Sequence, residues 1–312
     1  MSDTTEFANS VFEQPWWLDL VAPDNWGEVF VEENEEIIAR LPFVKNGSSL
    51  VMPELTQTLG IWFSPRIIEK EIGNSQYTKQ KEIINELIKK LPRQKNIHIT
   101  LDSSNSYILP YRWLGFRYVP TFSYRIDDLT DIENVFSSHS KHAKRDLKSA
   151  QKKVHLMDNP TADLFLDLLD KTFEKQNRST PGIREKHKNI IQTALGRNNG
   201  KILIAVDDDG NCHAGAFLLY DEKVCYYLMA GHDYNFRSSN AQTFIVNESI
   251  KFASTVSKAF DFEGSNIEGI ENFFKQFGGK LIVNYEVIKQ SLFSDFMDML
   301  KPRVKKILGY KN

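Results

Sequence analysis

The chain is poor in several features that announce whole classes of protein. Only two of its 312 residues are cysteine, Cys212 and Cys225, too few for a disulfide framework. Both fall in a predicted hairpin that turns at Asp221 and Glu222. Pairing across that turn sets Cys212 opposite about Gly231 and Cys225 opposite about Leu218, so the two sulfurs are not partners. Two thiols without a matching His cluster make no metal site. No window approaches the roughly 18 to 20 apolar residues that a membrane span requires. The start, "MSDTTEFANSVFEQPWWLD", has no basic run followed by an apolar one, and a cytoplasmic location is expected. Charge of one sign is missing too, since 39 Lys and Arg against 41 Asp and Glu leave a net −2. With 41% hydrophobic and 26% charged residues, the chain reads as an ordinary globular protein long enough for two cores.

The even balance conceals a local excess. From His139 to Lys153, "HSKHAKRDLKSAQKK" holds six Lys or Arg and one Asp without Gly or Pro, and so predicts a helix. Lys141, Lys144, Arg145 and Lys148 are spaced i, i+3, i+4, i+7 and share one helical face. That face is either solvated or an anion site for a diphosphate or a nucleic-acid backbone. His139 and His142 lack a third ligand, which excludes a metal there.

The pattern in Phe260 to Ile288, "FDFEGSNIEGIENFFKQFGGKLIVNYEVI", also occurs far upstream. From Ile99 to Ile126 stands "ITLDSSNSYILPYRWLGFRYVPTFSYRI". In both, an apolar run ends in an acid, Asp102 or Glu263, and a Ser-Asn pair follows. An apolar-periodic segment then leads to a Gly beside a Phe and to a second β-like run. Such an echo, placed at the end of each half, is what fold duplication predicts.

Around the echoes the first half reads as one α/β unit: the helical "QPWWLDLV", strands "EVFVE" and "EIIARLPFV", a helix over Thr78 to Lys90, then strand, short helix and strand. A connecting helix is predicted over Asp131 to Gln151. The second half reads β α α β β β α β α β, with Asn159 and Pro160 starting its first helix and Arg184 to Leu195 forming its second. A three-stranded meander follows, then a helix from Asn240 to about Ser257. "AFDFE", a short helix and "KLIVNYEVI" close the unit, and an amphipathic helix begins near Leu292.

This order of elements resembles the acyltransferase fold of the GNAT superfamily. With "QPWWLDLV", "FSSHSKHAKRDLKSAQK" and "FDFEGSNIEGIENFFKQFGG", the chain resembles the FemAB-like branch, whose members carry two GNAT-like domains in tandem. The resemblance implies an α/β (mixed α+β) protein whose central mixed sheets are flanked by helices. It implies an N-terminal GNAT-like domain over 1–130, degenerate and walling the acceptor site. A C-terminal donor and catalytic domain over 131–290 and a terminal helix over 291–312 complete the expected arrangement.

The resemblance also implies where the chemistry sits. In such a unit the diphosphate of an acyl thioester rests on backbone amides at the start of the helix after the meander, where unpaired donors and the helix dipole favour anions. Here that start is "FRSSNAQTF", with Arg237, Ser238, Ser239 and Asn240 as donor-binding residues. Asn240 and Ala241 stand where the family has glycines, which leaves the donor open, although Asn tolerates a left-handed backbone. Transfer to an amine requires removal of a proton, and Glu263 at the end of the fifth strand is the expected base, with Asp261 on the same strand face to orient it or hold the ammonium. The competing role for Glu263 is to cap the following helix. Tyr226, Tyr227 and Tyr234 are weak substitutes for a general acid, because "IEGIENFFKQF" has only phenylalanines. For the acceptor, the resemblance implies Lys141, Lys144, Arg145 and Lys148, joined by Asn177 and Arg178, holding a diphosphate such as that of a nucleotide-sugar or lipid-linked precursor.

The expected function is therefore N-acyl transfer to an amine of a cell-envelope or surface-polysaccharide precursor. Acyl-CoA is the co-substrate, and no tightly bound cofactor or metal is implied. Aminoacyl-tRNA as donor, in peptidoglycan crossbridge formation, is the first alternative. The second is a catalytically silent binding protein on the same fold.

Overall fold

The computed structural model describes residues 4–68, 74–175, 183–264 and 267–290. The described chain forms two compact units. The first takes residues up to Thr121 together with those from Val283 onward, and the second runs Phe122–Ile282.

Unit 1 opens with α1 (Pro15–Val21), whose Pro sits at the first helical position where its missing N–H costs nothing. Trp16 and Trp17 meet edge to face at 5.7 Å and are buried. Then come β1 (Trp26–Glu33), β2 (Glu36–Asn46), β3 (Ser49–Val51), β4 (Trp62–Phe63), α2 (Pro65–Ile68), α3 (Asn74–Lys90), β5 (Asn96–Leu101) and α4 (Leu109–Trp113). Hairpin β1–β2 is antiparallel, β2 pairs with β3 and β4, and β3 runs parallel to β5.

The core of unit 1 contains charge. Glu13 is wholly buried and accepts from Asn9 N (2.7 Å), Asn9 Nδ2 (3.0 Å) and Gly60 N (2.8 Å). Burial and the charge of Asp102 outweigh these donors and push its carboxyl up to about 7. Arg40, also wholly buried, pairs with Glu28 at 2.7 Å and donates to the carbonyls of Phe7 and Glu13. Asn105, the Asn of the first echo, holds Ile61 from both sides, accepting from its N–H (2.6 Å) and donating to its carbonyl (2.8 Å).

Strand β6 (Arg117–Ile126) continues from unit 1 into unit 2, where α5 (Ile132–Ser138), α6 (Lys141–Ala150), β7 (His155–Leu156), α7 (Ala162–Lys175) and α8 (Ile183–Gly196) follow. The meander is β8 (Gly200–Val206), β9 (Cys212–Tyr220) and β10 (Val224–His232). After it stand α9 (Ala241–Val256), β11 (Ala259–Asp261), α10 (Glu268–Phe274) and β12 (Lys280–Lys289), which leads back into unit 1. Side chains of β9 alternate between two helical layers. Ala214, Ala216 and Leu218 share a core with Phe244, Ile245 and Ile250 of α9, whereas Gly215 faces Leu168 of α7. α7 packs so closely on β10 that a Cβ on Gly231 would stand 2.6 Å from the Leu168 carbonyl carbon, so only glycine fits.

The element order of the second half matches the sequence reading, with several differences of physical interest. Each unit is closed by the strand of the other half. In unit 2, β11 pairs antiparallel with β6 through Phe260↔Ile126 and Asp261↔Arg125. In unit 1, β5 pairs antiparallel with β12 through Tyr285↔Leu101 to Lys289↔Ile97. The short helix of each echo thus leads from a strand of one unit to a strand that pairs in the other.

The predicted single helix over Asp131 to Gln151 is two helices. His139 and Ser140 are extended between them, Ser140 Oγ accepts from Ala143 N to start α6, and the break buries the His139 ring between Phe136 and Phe277. Helix α7 begins at Ala162 rather than at Pro160, and Thr161 Oγ1 accepts from Leu164 N where Asn159 was expected to cap. The β9–β10 hairpin lies in another register than expected: Cys225 stands opposite Tyr220 and the pairing ends with His232 opposite Ala214, so that Cys212 pairs only with Val206 of β8. The cause is a longer turn together with a shift in β10 between Tyr226 and Met229. Both thiols are free. The helix expected beyond Leu292 lies outside the described residues.

Candidate functional site

The site is built on a fork in the sheet of unit 2. Strands β10 and β11 run parallel and pair only from Val224↔Ala259 to Tyr226↔Asp261. Beyond Asp261 the chain leaves β10 and stays with β6, Phe262 N donating to Tyr124 O at 3.0 Å. β10 meanwhile continues to His232, with its bulge just past the fork. A strand that runs on beside a departed neighbour offers its backbone to an extended ligand.

Glu263 stands at this fork, and the structure answers the question of its role as a cap. The N-cap of α10 is Ile267, without a side-chain bond, so Glu263 does not cap the helix. Its backbone is left-handed, φ 59°, a conformation that a non-glycine residue holds only where its surroundings impose it. Asp261 imposes it, since Asp261 Oδ1 accepts from Glu263 N at 2.8 Å. Gly264 then lies so close to β6 that a Cβ there would overlap the Phe122 carbonyl oxygen, and its N–H donates to Ser123 Oγ at 3.0 Å.

Asp261 itself is wholly buried and saturated. Ser123 Oγ donates to its Oδ1, and Arg125 donates to its Oδ2 from Nε (3.0 Å) and from Nη2 (2.9 Å). A carboxylate so occupied has no remaining lone pair for a substrate ammonium, and its Oδ1 holds the backbone N–H of Glu263. Glu263 is the opposite case. Its Oε1 is inaccessible and has no hydrogen-bond partner. Burial first and the neighbouring Asp261 charge second raise its carboxyl well above the ordinary value, with Arg125 opposing. An orphaned carboxyl of raised pKa is suited to proton transfer near neutral pH.

The loop expected to meet the donor follows β10. Residues Tyr234–Ser239 form a 3-10 turn, and Asn240 is left-handed, φ 61°, before the 16-residue helix α9. Asn240 thus adopts the backbone that the family's glycine would, and it makes no cap bond. Ser239 Oγ accepts from Ala241 N at 3.2 Å. The Ser238 carbonyl accepts from Lys153 Nζ at 2.7 Å, which ties the basic segment to the loop. Arg237 lies over the Tyr234 ring at 4.7 Å and bonds its hydroxyl. Arg237, Ser239 and Asn240 line a cavity of about 280 Å³ together with His213, His232 and Asp146. His213 is stacked on Phe236 at 4.1 Å and bonded to Asp207.

The structure gathers the expected residues into separate groups. Glu263 and Asp261 share the fork, and Arg237, Ser239 and Asn240, but not Ser238, share the cavity, whose lining includes neither Glu263 nor Asp261. Lys141, Lys144, Arg145 and Lys148 are exposed on α6. Of these, Lys144 donates to the Ser137 carbonyl and Arg145 is tied to Asp146 and His142. Asn177 and Arg178 lie outside the described residues. Of the tyrosines, Tyr226 and Tyr227 are buried and Tyr234 is exposed. Sequence reasoning missed Ser123, Arg125 and Lys153. The signal for the first two was present: in "FSYRI" a Ser and an Arg two apart share one face of an otherwise apolar strand, which calls for a buried acidic partner. Among the described residues, no group of three or more His, Cys, Asp or Glu is placed to hold a metal, and no helix is long and apolar enough to cross a membrane.

Residues 137–272 match the family described as an acetyltransferase (GNAT) domain, a stretch that includes α6, the meander, the donor loop and the fork. No curated protein matches. Among solved structures, FemX superposes with a TM-score of 0.66 at 13% identity, covering 88% of this chain and 91% of its own. A C-terminal domain (DUF2156) from Agrobacterium fabrum, assigned as lysylphosphatidylglycerol synthetase, gives 0.53 at 10% identity, covering 88% and 87%. L-PGS from Bacillus licheniformis gives 0.51 at 12% identity, covering 94% and 91%. The matched segment, somewhat under half of the chain, is similar to a GNAT acetyltransferase domain, a class whose chemistry is acyl transfer. The superposed structures, all under 25% identical, show a shared fold.

Proposed function

We propose that the protein is an N-acyltransferase that moves an acyl group from a coenzyme A thioester to an amine of a cell-envelope or surface-polysaccharide precursor. The observation that carries this reading is the fork, where Glu263 carries a buried carboxyl oxygen without a partner beside the stretch of β10 past Tyr226 that β11 has left. The acyl chain lies along β10 past Tyr226, and its diphosphate meets Arg237, Ser238, Ser239 and Asn240 at the start of α9. Glu263 takes the proton from the attacking ammonium, directly or through a water, and the amine adds to the thioester carbonyl. The thiolate then leaves as the new amide forms. Asp261, held by Ser123 and Arg125, fixes the direction of the Glu263 carboxyl. The exposed basic face of α6, with Lys141, Lys144, Arg145 and Lys148, supplies charge for a phosphorylated acceptor, and Asn177 and Arg178 belong to the same proposal. The domain division at about residue 130 expected from the sequence is kept as a division of labour, with Ser123 and Arg125 as the first half's contribution to catalysis.

Aminoacyl-tRNA is the second reading of the donor, favoured by the likeness to a domain assigned as lysylphosphatidylglycerol synthetase. Equilibrium binding of acetyl-CoA, of longer acyl-CoAs and of aminoacyl-tRNA to the full chain separates the two. Saturable acyl-CoA binding weakened by Arg237→Ala is the expected result. Tight binding of aminoacyl-tRNA alone transfers the proposal to the second donor, and binding of neither removes the catalytic reading.

A further inference from the structure

Unit 1 contains a cavity of its own, about 220 Å³, at the C-terminal end of β5 beside α3 and α4. Among the described residues, none that lines it is charged. Its walls are carboxamides and aromatic rings, chiefly Gln76, Gln80, Asn105, Tyr77, Tyr107 and Tyr111. Tyr77 and Tyr107 pack together at 4.7 Å, and Tyr77 keeps 42% of its surface exposed. Two polar atoms of the lining are buried without a hydrogen-bond partner, Tyr111 Oη and Gln76 Oε1, and Tyr111 is 2% exposed. A buried hydroxyl left unmade is costly and rare in a packed protein, and it marks a place where something else supplies the bond.

We infer that this cavity binds one neutral sugar ring, a hexopyranose or an N-acetylhexosamine. The described wall is uncharged and holds nothing that would offset the desolvation of a diphosphate or a carboxylate. The volume lies below the roughly 300 to 1,000 Å³ of sites for larger ligands, so a single ring is accommodated and a dinucleotide is not. The C–H face of a pyranose packs on a tyrosine ring, while its hydroxyls both donate and accept, which meets the orphaned phenol and carboxamide together. The floor is preformed: Asn105 grips Ile61 from both sides, a Cβ on Gly60 would overlap Asn105 Oδ1, and Glu13 holds the Gly60 amide. A rigid floor saves the ordering cost that a small ligand with few contacts cannot meet. The inference concerns unit 1 alone and does not rest on the donor or the base assigned above.

Saturation-transfer NMR on the full chain with methyl glucoside, N-acetylglucosamine and uridine as probes tests it. Saturable binding of a sugar probe at about millimolar strength is expected, with uridine giving none. Tyr77→Ala abolishes the signal, and Tyr111→Phe weakens it roughly three- to tenfold. Because the Tyr111 hydroxyl has no protein partner, Tyr111→Phe leaves the melting temperature unchanged or higher, which separates lost binding from lost folding. Glu263→Gln leaves sugar binding unchanged, so failure here and failure of the acyl-transfer reading are distinct results. Preference for uridine, absence of sugar binding, or sugar binding that survives both tyrosine substitutions overturns the assignment.

Discussion

Asp261→Asn keeps the shape of the side chain and removes its charge, and the structure says what that costs. Asp261 accepts from donors on both oxygens: Ser123 Oγ and the Glu263 amide at Oδ1, and Nε and Nη2 of Arg125 at Oδ2. Whichever way the new amide turns, its NH2 faces a donor, and the Arg125 guanidinium, only 15% exposed, loses its counter-charge. Breaking a buried ion pair from one side costs about 3–5 kcal/mol. For a unit of 150 to 250 residues this corresponds to a fall in Tm of roughly 6–20 °C. Calorimetry at neutral pH measures it, and the double variant Asp261→Asn with Arg125→Met supplies the control. Removing the stranded cation leaves the double variant no less stable than Asp261→Asn alone. A loss below about 1 kcal/mol, or strictly additive losses, would refute the view that this pair organises the fork.

Other expectations follow from burial. Glu13, whose carboxyl is pushed up to about 7 by burial and by Asp102, binds its proton more tightly folded than unfolded. Unit 1 is therefore fully stabilised below about pH 4.5 with respect to this group, and it loses stability as pH rises through 7, by at most about 3 kcal/mol. A carbon-detected titration of the Glu13 carboxyl checks this, and a midpoint below 5 contradicts it. Cys225 is fully buried, and burial raises its thiol far above the ordinary value, whereas Cys212 is half-buried. Under native conditions a thiol reagent labels Cys212 first and reaches Cys225 only on unfolding, and equal rates refute the packing of β10.

Much of the second half was legible because its periodicities are clean. The apolar rows of α7, α8 and α9 and the short turns of the meander dictate helix and strand directly. The echo between residues 99–126 and 260–288 was legible as duplication, but its consequence was not. Nothing local to "KLIVNYEVI" says that it pairs with β5, since either partner buries the same alternating side chains. For the same reason Ser123 and Arg125 were passed over. They act on Asp261 across more than 130 positions of sequence, and only the exchanged strand brings them there. The break before α6 was hidden by a run of good helix formers, and burial of the His139 ring overrides their propensity. In the donor loop the absence of glycine suggested a degraded site, yet Asn240 takes the left-handed backbone by itself.

Acyl transfer at the fork depends on whether the orphaned carboxyl of Glu263 moves the proton. Once a donor and an amine acceptor are in hand, the pH profile of kcat/KM for Glu263→Gln against the wild type decides it. The account predicts a fall of about 10²- to 10⁴-fold and loss of a limb that titrates well above the usual carboxylate range, with Tm unchanged or higher because the lost group had no partner at Oε1. A variant that keeps its rate and its pH profile, or that loses activity only because it melts early, would contradict it.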